Sequence, residues 1–524
     1  MPPPAAGVTH DIVFTLGSDT YGFMLKPGTQ LEERVNDFAP QIGLGDNPAF
    51  AEGAWKAWEF TGATEGVDQR LFNSKQRILW TDGKIDTLRD GLLQLSSAWA
   101  SSDAAKSATA PMIIDYLTDS VLVGVGTKVR QYLVSTGLWY DSITTLDSAC
   151  RWLHVHGVYA FAAVGESNSL WRSVDGDTWT QPAAQAANCF ATYADKLYLG
   201  VGATLKASSD NGATWGAAIS VGDGSADVTA LTVAYNNLFI RTEDGLFYYN
   251  GTTVFEVYRN RNSLYVGNKI LVYHTDGFLY ANELATILKF SISSGAVTNM
   301  IKINPTMTGD ASKELYGHGI PKWAWSGVSK EQLFFIFDDG EGLYPELLQY
   351  NGLGWHQIYR GTSGDTMNAG GYSRLTAFLM LNDGATHRKK MITLADIPAA
   401  DYPTSGEFHT SFFDAGLPPM PKGFGAVRLW CRNVTAARTV AVYYRLVDTD
   451  SWTLIGTVTA DVYPNPVTLL FNAESKAIGA NAIQLRLVLT TDVANQTPVL
   501  TRVSVKYLNR PSSVHAYSAI LQIA

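Results

Sequence analysis

The sequence has few charged residues and no concentration of positive charge. Charged residues make up 17% of its 524 residues, and the formal net charge is −9. Nucleic-acid binding requires Lys and Arg gathered on one face to meet the phosphates. An acidic chain without a basic cluster is therefore not expected to bind nucleic acid. The sequence also lacks an apolar run of about 20 residues, so we expect no membrane span.

Cysteine is scarce, which limits the chemistry that thiols can provide. Cys150, Cys189 and Cys431 cannot all pair with one another and do not have the spacing of metal ligands. Each lies in or beside an apolar, strand-like stretch, so we expect three small buried residues. The sequence has no nucleophile-elbow serine, phosphate loop or dinucleotide fingerprint, and it predicts no cofactor.

The start of the chain does not have the layout of a secretory signal. Met1 is followed by three prolines and not by positive charges and an apolar run. We therefore expect the protein to be made and assembled in a cytoplasm.

Aromatic residues and glycine are abundant. Aromatic residues account for 12% of the chain, which also contains 47 Gly and 14 Trp. This composition is too apolar for a disordered chain, and the length exceeds that of one ordinary domain. The sequence therefore predicts one large repeat domain and at least one companion.

A strand-turn-strand unit occurs three times between residues 150 and 255. The clearest copy has the pattern S-x-D-x-G-x-T-W and consists of Ser208, Asp210, Gly212, Thr214 and Trp215. A shorter copy upstream consists of Ser173, Asp175, Gly176, Thr178 and Trp179. A degenerate third copy, YNGTTV, occupies 249–254. Each copy follows alternating apolar residues and turns over Gly with Asp or Asn, which is typical of a tight β-hairpin.

The repeated motif resembles the Asp-box, a hairpin signature of sialidase-like and related β-propellers. In such a turn the carboxylate accepts hydrogen bonds from turn amides, Gly adopts a conformation that other residues resist, and Trp packs between sheets. All three roles are structural. We therefore interpret Asp175 and Asp210 as residues that fix the turn and not as catalytic carboxylates.

The spacing of the hairpins predicts a β-propeller over 61–402. Trp139, Trp179, Trp215 and Val254 lie 40, 36 and 39 residues apart, close to the roughly 40-residue length of a propeller blade. We predict seven blades, with six or eight as alternatives. Closing such a ring requires a strand from another part of the chain to complete the last blade, and residues 55 to 80 are expected to supply it.

The pattern changes after residue 402. Six longer alternating segments follow, at 408–413, 427–431, 439–446, 452–455, 483–490 and 499–507. They predict a jelly-roll-like β-sandwich over 403–510. The tail at 511–524 contains the apolar run ILQI, which is expected to add as a strand to a neighbour.

Residues 1–60 do not share the repeat. Prolines and glycines break the segment into turns, although 11–14 form a candidate strand. The segment is rich in aromatic residues, which favours an irregular arm that is held against a neighbouring subunit.

Two local clusters were considered as metal sites. His154 and His156 lie on one face of a predicted strand, but no third ligand is near them in sequence, so we expect no metal there. The acidic stretch DDGEG at 338–342 lacks the spaced oxygen ligands of a calcium loop and is interpreted as a hairpin tip.

An Asp-box propeller also raises the hypothesis of a glycosidase. The sialidases that it resembles have an arginine triad, a Tyr with a Glu partner, an acidic Asp and an early F/Y-R-I-P string. No Arg-Ile-Pro occurs here, and the most similar string, YRNRN at 258–262, lacks Ile and Pro. We therefore expect no enzymatic activity, although sequence alone does not exclude a carboxylate pair at hydrolase spacing.

Several strings together resemble a structural protein of tailed bacteriophages. NDFAPQIGLGD at 36–46 and the stretch from Trp55 and Trp58 to Arg70 are similar to the start of propeller proteins encoded among phage tail genes. FFDAGLP at 412–418, VYY at 442–444, SWTLIG at 451–456, TPVL at 497–500 and VKY at 505–507 are similar to their C-terminal modules.

The resemblance implies a non-enzymatic component of the virion tail, tail tip or baseplate. Its expected partners are other virion proteins, copies of itself and a host-surface glycan or protein. The alternative is a carbohydrate-binding or glycoside-hydrolase-like propeller protein outside a virion; an assembly factor with an Asp-box propeller is a third hypothesis. Fold alone does not decide among them.

Overall fold

The computed structural model is built entirely from β-strands and their connections in the part of the chain that it describes. It describes residues 12–16, 19–23, 55–67, 78–101, 111–117, 120–133, 135–261, 264, 265, 267–293, 296–303, 320–327, 329–338, 344–362, 364–373, 376–382, 387–393, 401–416, 418, 420–472, 477–509, 519 and 520. Within these ranges no helix is long and apolar enough to cross a membrane.

Seven short strands precede the repeat region. They are β1 (Ile12–Leu16), β2 (Asp19–Phe23), β3 (Lys56–Phe60), β4 (Ile78–Thr81), β5 (Ile85–Asp86), β6 (Gln94–Leu95) and β7 (Ala100–Ser101). The first of them overlaps the candidate strand at 11–14, so that prediction is confirmed.

Seven small antiparallel sheets follow one another along the repeat region. The first contains β8 (Pro111–Leu117), β9 (Ser120–Val125), β10 (Lys128–Leu133) and β11 (Leu138–Asp141), and the second contains β12 (Trp152–His156), β13 (Tyr159–Ala163) and β14 (Trp171–Ser173). The third contains β15 (Cys189–Tyr193), β16 (Lys196–Val201), β17 (Thr204–Ser208) and β18 (Ile219–Ser220), and the fourth contains β19 (Val228–Ala234), β20 (Asn237–Thr242), β21 (Gly245–Tyr249) and β22 (Val254–Arg259).

The remaining three sheets continue the same order. The fifth contains β23 (Leu271–Tyr273), β24 (Phe278–Glu283), β25 (Thr286–Ser293) and β26 (Ala296–Lys302), and the sixth contains β27 (Ile320–Ser326), β28 (Leu333–Asp338), β29 (Glu346–Tyr350) and β30 (Trp355–Arg360). The seventh contains β31 (Thr366–Ser373), β32 (Thr376–Asn382) and β33 (His387–Thr393), and β7 pairs with β33 as its fourth strand.

Two-residue turns join the first two strands of the third and fourth sheets. Both turn residues have positive φ, at 47° and 59° for Ala194 and Asp195 and at 46° and 58° for Tyr235 and Asn236. Positive φ at both positions defines the type I′ turn, whose twist matches that of the strands that it connects. The sheets are apolar on both faces, as the fully buried second strand of the first sheet shows, and they must therefore pack against each other.

The first strands of the seven sheets contact one another in a closed cycle. Each contacts the first strand of the next sheet, and β31 contacts β8. The sheets thus surround a common axis, with their first strands innermost, in the arrangement of a β-propeller. We call this part of the molecule the ring.

The prediction of which strand closes the ring is wrong. Residues 55 to 80 were expected to complete the last sheet of the ring, but β7 completes it. The strands β3 and β4 instead pair with C-terminal strands. The strand β3 pairs there because its alternating aromatic side chains pack in the C-terminal core. Trp58 stacks on Phe413 with ring centroids 4.9 Å apart, and Phe60 stacks on Phe408 with ring centroids 5.9 Å apart.

The C-terminal region forms two five-stranded sheets. The strands after residue 402 are β34 (Ser405–Thr410), β35 (Lys422–Arg432), β36 (Thr439–Arg445), β37 (Thr453–Val458), β38 (Val467–Leu470), β39 (Ile478–Ala480), β40 (Gln484–Thr490), β41 (Val499–Asn509) and β42 (Ala519–Ile520). All of them except β42 belong to these two sheets. One sheet has the order β3-β41-β35-β38, with β39 also paired to β35, and the other has the order β37-β36-β40-β34-β4. Buried residues from both sheets form one hydrophobic core. All six strands predicted after residue 402 overlap strands of the structure.

Residues 62–67 and 82–99 connect the C-terminal sheets to the sixth sheet of the ring. The Val67 amide donates to the Trp355 carbonyl at 2.8 Å, and the Trp99 indole donates to the Ile358 carbonyl at 3.1 Å. The Thr87 hydroxyl contacts Nδ1 of buried His356 at 2.8 Å. The ring and the C-terminal sheets are therefore held together by a segment from the N-terminal part of the chain.

Both ends of the chain meet in a further small sheet. The strand β1 pairs with β2 on one side and with β42 on the other. The N-terminal residues therefore include strands and are not wholly irregular as predicted. The tail adds to a strand of its own chain, whereas the sequence predicted addition to a neighbour.

Candidate functional site

The Asp175 turn follows the last strand of the second sheet. Oδ1 of Asp175 accepts hydrogen bonds from the amides of Asp177 and Thr178 at 2.9 Å and 2.8 Å and from the Ser173 hydroxyl at 2.8 Å. The Trp179 indole is buried and donates to the Gly176 carbonyl at 3.0 Å. The carboxylate is thus occupied by the groups of its own turn.

The Asp210 turn has the same arrangement in the third sheet. Its carboxylate accepts from the Thr214 amide at 2.9 Å, from the Thr214 hydroxyl at 2.5 Å and from the Ser208 hydroxyl at 2.8 Å. These bonds, led by the one from the Thr214 hydroxyl, lower the pKa of Asp210 to about 2. Burial alone would raise the pKa of Asp175, but the bonds from Thr178 and Asp177 outweigh it and lower that pKa as well. Carboxyl groups with lowered pKa values are poor general acids at neutral pH.

Each of these turns also contacts the preceding sheet. The Gln131 amide donates to the Asp175 carbonyl at 3.0 Å, and the Arg172 guanidinium donates to the Asn211 carbonyl at 2.7 Å. Gly212 has φ +80°, and a Cβ there would lie 2.9 Å from the Phe161 ring in the second sheet. The turns therefore connect neighbouring sheets at the rim of the ring.

The degenerate third copy keeps the turn without the carboxylate. Oδ1 of Asn250 accepts from the amides of Thr252 and Thr253 at 3.0 Å and 2.9 Å. A further copy in the sixth sheet places Asn351 in the same role, with the amides of Leu353 and Gly354 at 2.9 Å and 2.8 Å. An amide oxygen can therefore replace the carboxylate in this turn.

The other sequence candidates lie apart from one another. Both histidine rings contact the Thr192 hydroxyl, at 2.9 Å for His154 and 3.0 Å for His156. Burial lowers the pKa of His154 to about 4, which keeps it neutral at physiological pH. The described residues contain no group of three side chains suited to hold a metal ion. Most of the acidic stretch at 338–342 lies outside the described residues.

The three cysteines are buried free thiols, as predicted. Burial raises the pKa of Cys150 and of Cys431 to about 12 in each case and raises that of Cys189 further. Because the thiolate is the reactive form, these side chains are unreactive in the folded protein.

The string at 258–262 includes a tyrosine with a glutamate partner. The Tyr258 hydroxyl donates to both carboxylate oxygens of Glu283 at 2.8 Å, and Arg259 pairs with Asp244 at 2.6 Å and Asp223 at 2.7 Å. Burial raises the pKa of Tyr258 to about 12, which opposes a nucleophilic role. These residues lie on or beside an outer strand of the fourth sheet.

The axis of the ring contains two adjoining cavities. The inner cavity has a volume of about 400 Å³ and is lined by residues of the innermost strands, including Leu153, His154 and Thr192. The mouth cavity has a volume of about 670 Å³ and lies at the end of the ring where those strands begin. Trp152, Lys269 and Trp323 line both cavities.

The two shared indoles form one wall. The rings of Trp152 and Trp323 meet edge to face, with centroids 5.7 Å apart and planes at 67°. The Trp323 indole donates to the Gly370 carbonyl of the seventh sheet at 2.9 Å. Both side chains are half-buried, so part of each ring is accessible from the cavities.

Positive charge lies beside this wall. The Lys269 ammonium has no hydrogen bond or ion pair with any residue that the structure describes. Burial, followed by the charges of Lys322 and Arg151, lowers the pKa of Lys269. Arg151 also lines the mouth cavity, with its guanidinium against the backbone of Gly165.

Three carboxylates line another part of the mouth cavity. Glu166 accepts hydrogen bonds from the Asn188 side chain at 2.6 Å and the Gly202 amide at 3.0 Å. Burial and the Glu166 charge raise the pKa of Asp227. Burial also raises the pKa of Glu243. The bond from the Asp227 amide opposes this shift, and the charges of Asp227 and Glu166 add to it.

Sequence reasoning did not single out these residues. They come from five sheets and lie far apart in the chain, and most of them lie near the start or end of a strand. Only the ring brings them together. A periodic pattern predicts the strands but not which side chains converge on the axis.

Comparison with known proteins gives no family. No family model and no curated protein matches the sequence. Among solved structures, the WD40 repeats of RRP9 are similar to 58% of this chain over 100% of their own length, with 8% identity and a TM-score of 0.44. A chain of the mitotic checkpoint complex is similar to 57% of this chain over 95% of its own length, with 11% identity and a TM-score of 0.43. The computationally designed Ika8 protein covers 55% of this chain and 97% of its own length, with 12% identity and a TM-score of 0.38. At these identities and TM-scores the likenesses carry no inference about function.

Proposed function

We propose that this chain is a non-enzymatic structural component of a tailed-bacteriophage virion, located in the tail, tail tip or baseplate. In this proposal the N-terminal arm and the C-terminal sheets make contacts with other virion proteins and with copies of the chain. The ring presents its axial cavities to a glycan or protein on the host surface. The chain would assemble in the host cytoplasm.

The observation that supports this proposal best is the sheet formed by both chain ends. The strands β1 and β42 pair far from each other in sequence, and β2 supplies an edge whose outer side is unpaired among the described strands. Exposed strand edges accept strands from other chains. A small sheet of this kind suits assembly better than catalysis.

The finer description of the fold belongs to the same proposal. We interpret the seven sheets of the ring as seven blades, closed by Ala100–Ser101, and the two C-terminal sheets as a β-sandwich. The sandwich includes the N-terminal strands β3 and β4 as well as the strands after residue 402. The propeller then begins near residue 100 and not at residue 61.

The alternative is a carbohydrate-binding or hydrolytic propeller protein outside a virion. One observation favours it: the mouth cavity combines indole rings with several carboxylates. Against hydrolysis, the Asp-box carboxylates are occupied, and the tyrosine with a glutamate partner lies on an outer strand.

The test is the location of the chain in particles of the phage that encodes it. An antibody raised against the purified protein is expected to label the tail end of intact particles in electron micrographs. Particles grown without the gene should lack the labelled part and fail to adsorb. Recovery of the protein only from the soluble fraction of lysed hosts would overturn the proposal.

The mass in solution gives a second readout. Light scattering of residues 1–524 is compared with that of residues 55–524, because deletion through residue 60 would remove β3 from the C-terminal core. We expect an oligomer for the full chain and a monomer for the shorter chain. A monomer in both cases would contradict a role of the arm in assembly.

A further inference from the structure

We propose that the mouth cavity binds a short acidic saccharide, with the acidic group held by Arg151 and Lys269 and the sugar hydroxyls held by Asp227 and Glu243. This inference deepens the glycan-binding part of the proposed function. It does not depend on the virion role, because it concerns the purified chain alone.

The size and wall of the cavity fit such a ligand. Its volume of about 670 Å³ lies within the range of roughly 300–1,000 Å³ that is typical of small-molecule sites. Trp152 and Trp323 offer partly exposed indole faces, and the Trp323 ring is oriented by its bond to the Gly370 carbonyl. An aromatic face suits the apolar C–H side of a sugar ring, since the polar edges of the sugar stay free for hydrogen bonds.

The positive groups explain why the ligand should be acidic. The Lys269 ammonium is largely removed from water, lies close to other cations and pairs with no described carboxylate. A buried, unpaired cation is unfavourable, and an anionic group bound beside it would relieve that cost. Arg151 adds a planar guanidinium, which can bind a carboxylate or phosphate through two parallel hydrogen bonds.

The carboxylates explain why the ligand should also carry hydroxyls. The Asp227 carboxylate accepts no hydrogen bond from the described residues, and the Glu243 carboxylate accepts only a long one, at 3.5 Å, from the Asp227 amide. Their free oxygens can accept bonds from sugar hydroxyls. Glu166 is already occupied by Asn188 and Gly202 and serves mainly to keep this side of the cavity acidic.

The two groups of charges do not neutralise each other. The charges that perturb Lys269 are cations, whereas those that perturb Asp227 and Glu243 are carboxylates. A neutral sugar would leave Lys269 without a partner, and a small inorganic anion would leave the carboxylates without donors. A saccharide with one acidic group satisfies both sides.

The test is titration calorimetry on the full-length protein with matched probes. Galacturonic acid is compared with its uncharged methyl ester, and 3′-sialyllactose with lactose. The variants are Lys269→Met and Arg151→Gln, and the control is Lys196→Met, which removes an exposed lysine at a hairpin turn of the third sheet. Circular dichroism verifies that each variant is folded.

We expect at least one acidic probe to bind more tightly than its neutral counterpart. Lys269→Met and Arg151→Gln should each weaken that binding about tenfold, as expected for loss of a charge-assisted bond, and should abolish the preference over the neutral probe. Lys196→Met should bind as the unaltered protein does. The inference is overturned if no acidic probe binds at millimolar concentration, or if both cavity variants bind unchanged. Since the virion role is measured on particles, the two proposals can fail independently.

Discussion

Replacing Gly212 with alanine tests whether the Asp-box turns hold neighbouring sheets together. The new Cβ would lie 2.9 Å from Cε1 of Phe161 and 3.6 Å from the Trp215 ring. Phe161 belongs to the preceding sheet and is fully buried, so we expect close packing to resist displacement of its ring. The clash must therefore separate the turn from that sheet or distort both.

Gly224→Ala is a matched control. Gly224 has φ +82°, almost the same as the +80° of Gly212, but a Cβ there would meet nothing within 4 Å. Both variants carry the cost of an alanine in the left-handed region, about 1–2 kcal/mol. Only Gly212→Ala adds the cost of overpacking, about 1–3 kcal/mol. The difference between the two variants therefore measures the contact between sheets.

The assay is urea denaturation followed by tryptophan fluorescence, with thermal scans in parallel. We expect the midpoint of Gly212→Ala to fall clearly below that of Gly224→Ala. Adding Phe161→Leu should recover part of the loss in Gly212→Ala and none in Gly224→Ala, because a smaller side chain removes the clash. Equal midpoints for the two glycine variants would refute the view that this turn packs on the preceding sheet.

Two further predictions concern the C-terminal core and the pH dependence of a turn. Phe60→Ala should destabilise the C-terminal sheets by about 3–5 kcal/mol, because the buried Phe60 ring stacks on Phe408. Tyr140→Ala, which changes an exposed residue on an outer strand of the ring, should have little effect. Hydrogen exchange measures the difference, and unchanged protection of β34 and β41 in Phe60→Ala would contradict the pairing. The folded-state pKa of Asp210, about 2, lies below its ordinary value of 3.8, so the stability that this carboxylate contributes is present above pH 3.8 and is lost as the pH falls toward 2. The melting temperature of Asp210→Asn should therefore lie below that of the unaltered protein at pH 7, and the difference should shrink as the pH falls from 3.8 toward 2. A difference as large at pH 2.5 as at pH 7 would contradict the assignment.

Local chemistry made the turns and strands predictable. Ser208, Asp210 and Gly212 specify a turn through bonds that span only a few residues, so their roles could be inferred without knowing any distant partner. The C-terminal strands were likewise visible as alternating segments, because one face of each lies on a core.

Long-range pairing was not predictable in the same way. The aromatic alternation of β3 indicated a strand with a buried face, but two edges in the molecule could have accepted it. The choice depends on Phe413 and Phe408, which lie more than 300 residues later. The seventh sheet is instead closed by Ala100–Ser101, a two-residue strand with no sequence signal of its own.

Long-range pairing also brings together the residues that line the mouth cavity, so the sequence did not predict this cavity. The charges inside it are nevertheless informative about binding. A charge such as that of Lys269 normally stays in water or finds a partner within the fold. In the ring the charges that act on its ammonium are those of Lys322 and Arg151, although Asp227 and Glu243 line the same cavity. If the cavity were only unfilled space at the axis, an ion pair between Lys269 and Asp227 or Glu243 would have a lower free energy than the separated charges. Because Lys269 is not paired with Asp227 or Glu243, the hydrogen-bond donors of the lysine and the acceptors of the carboxylates remain for a ligand to bind. For this reason we propose a binding function for the axial cavity and not for the more recognisable Asp-box turns.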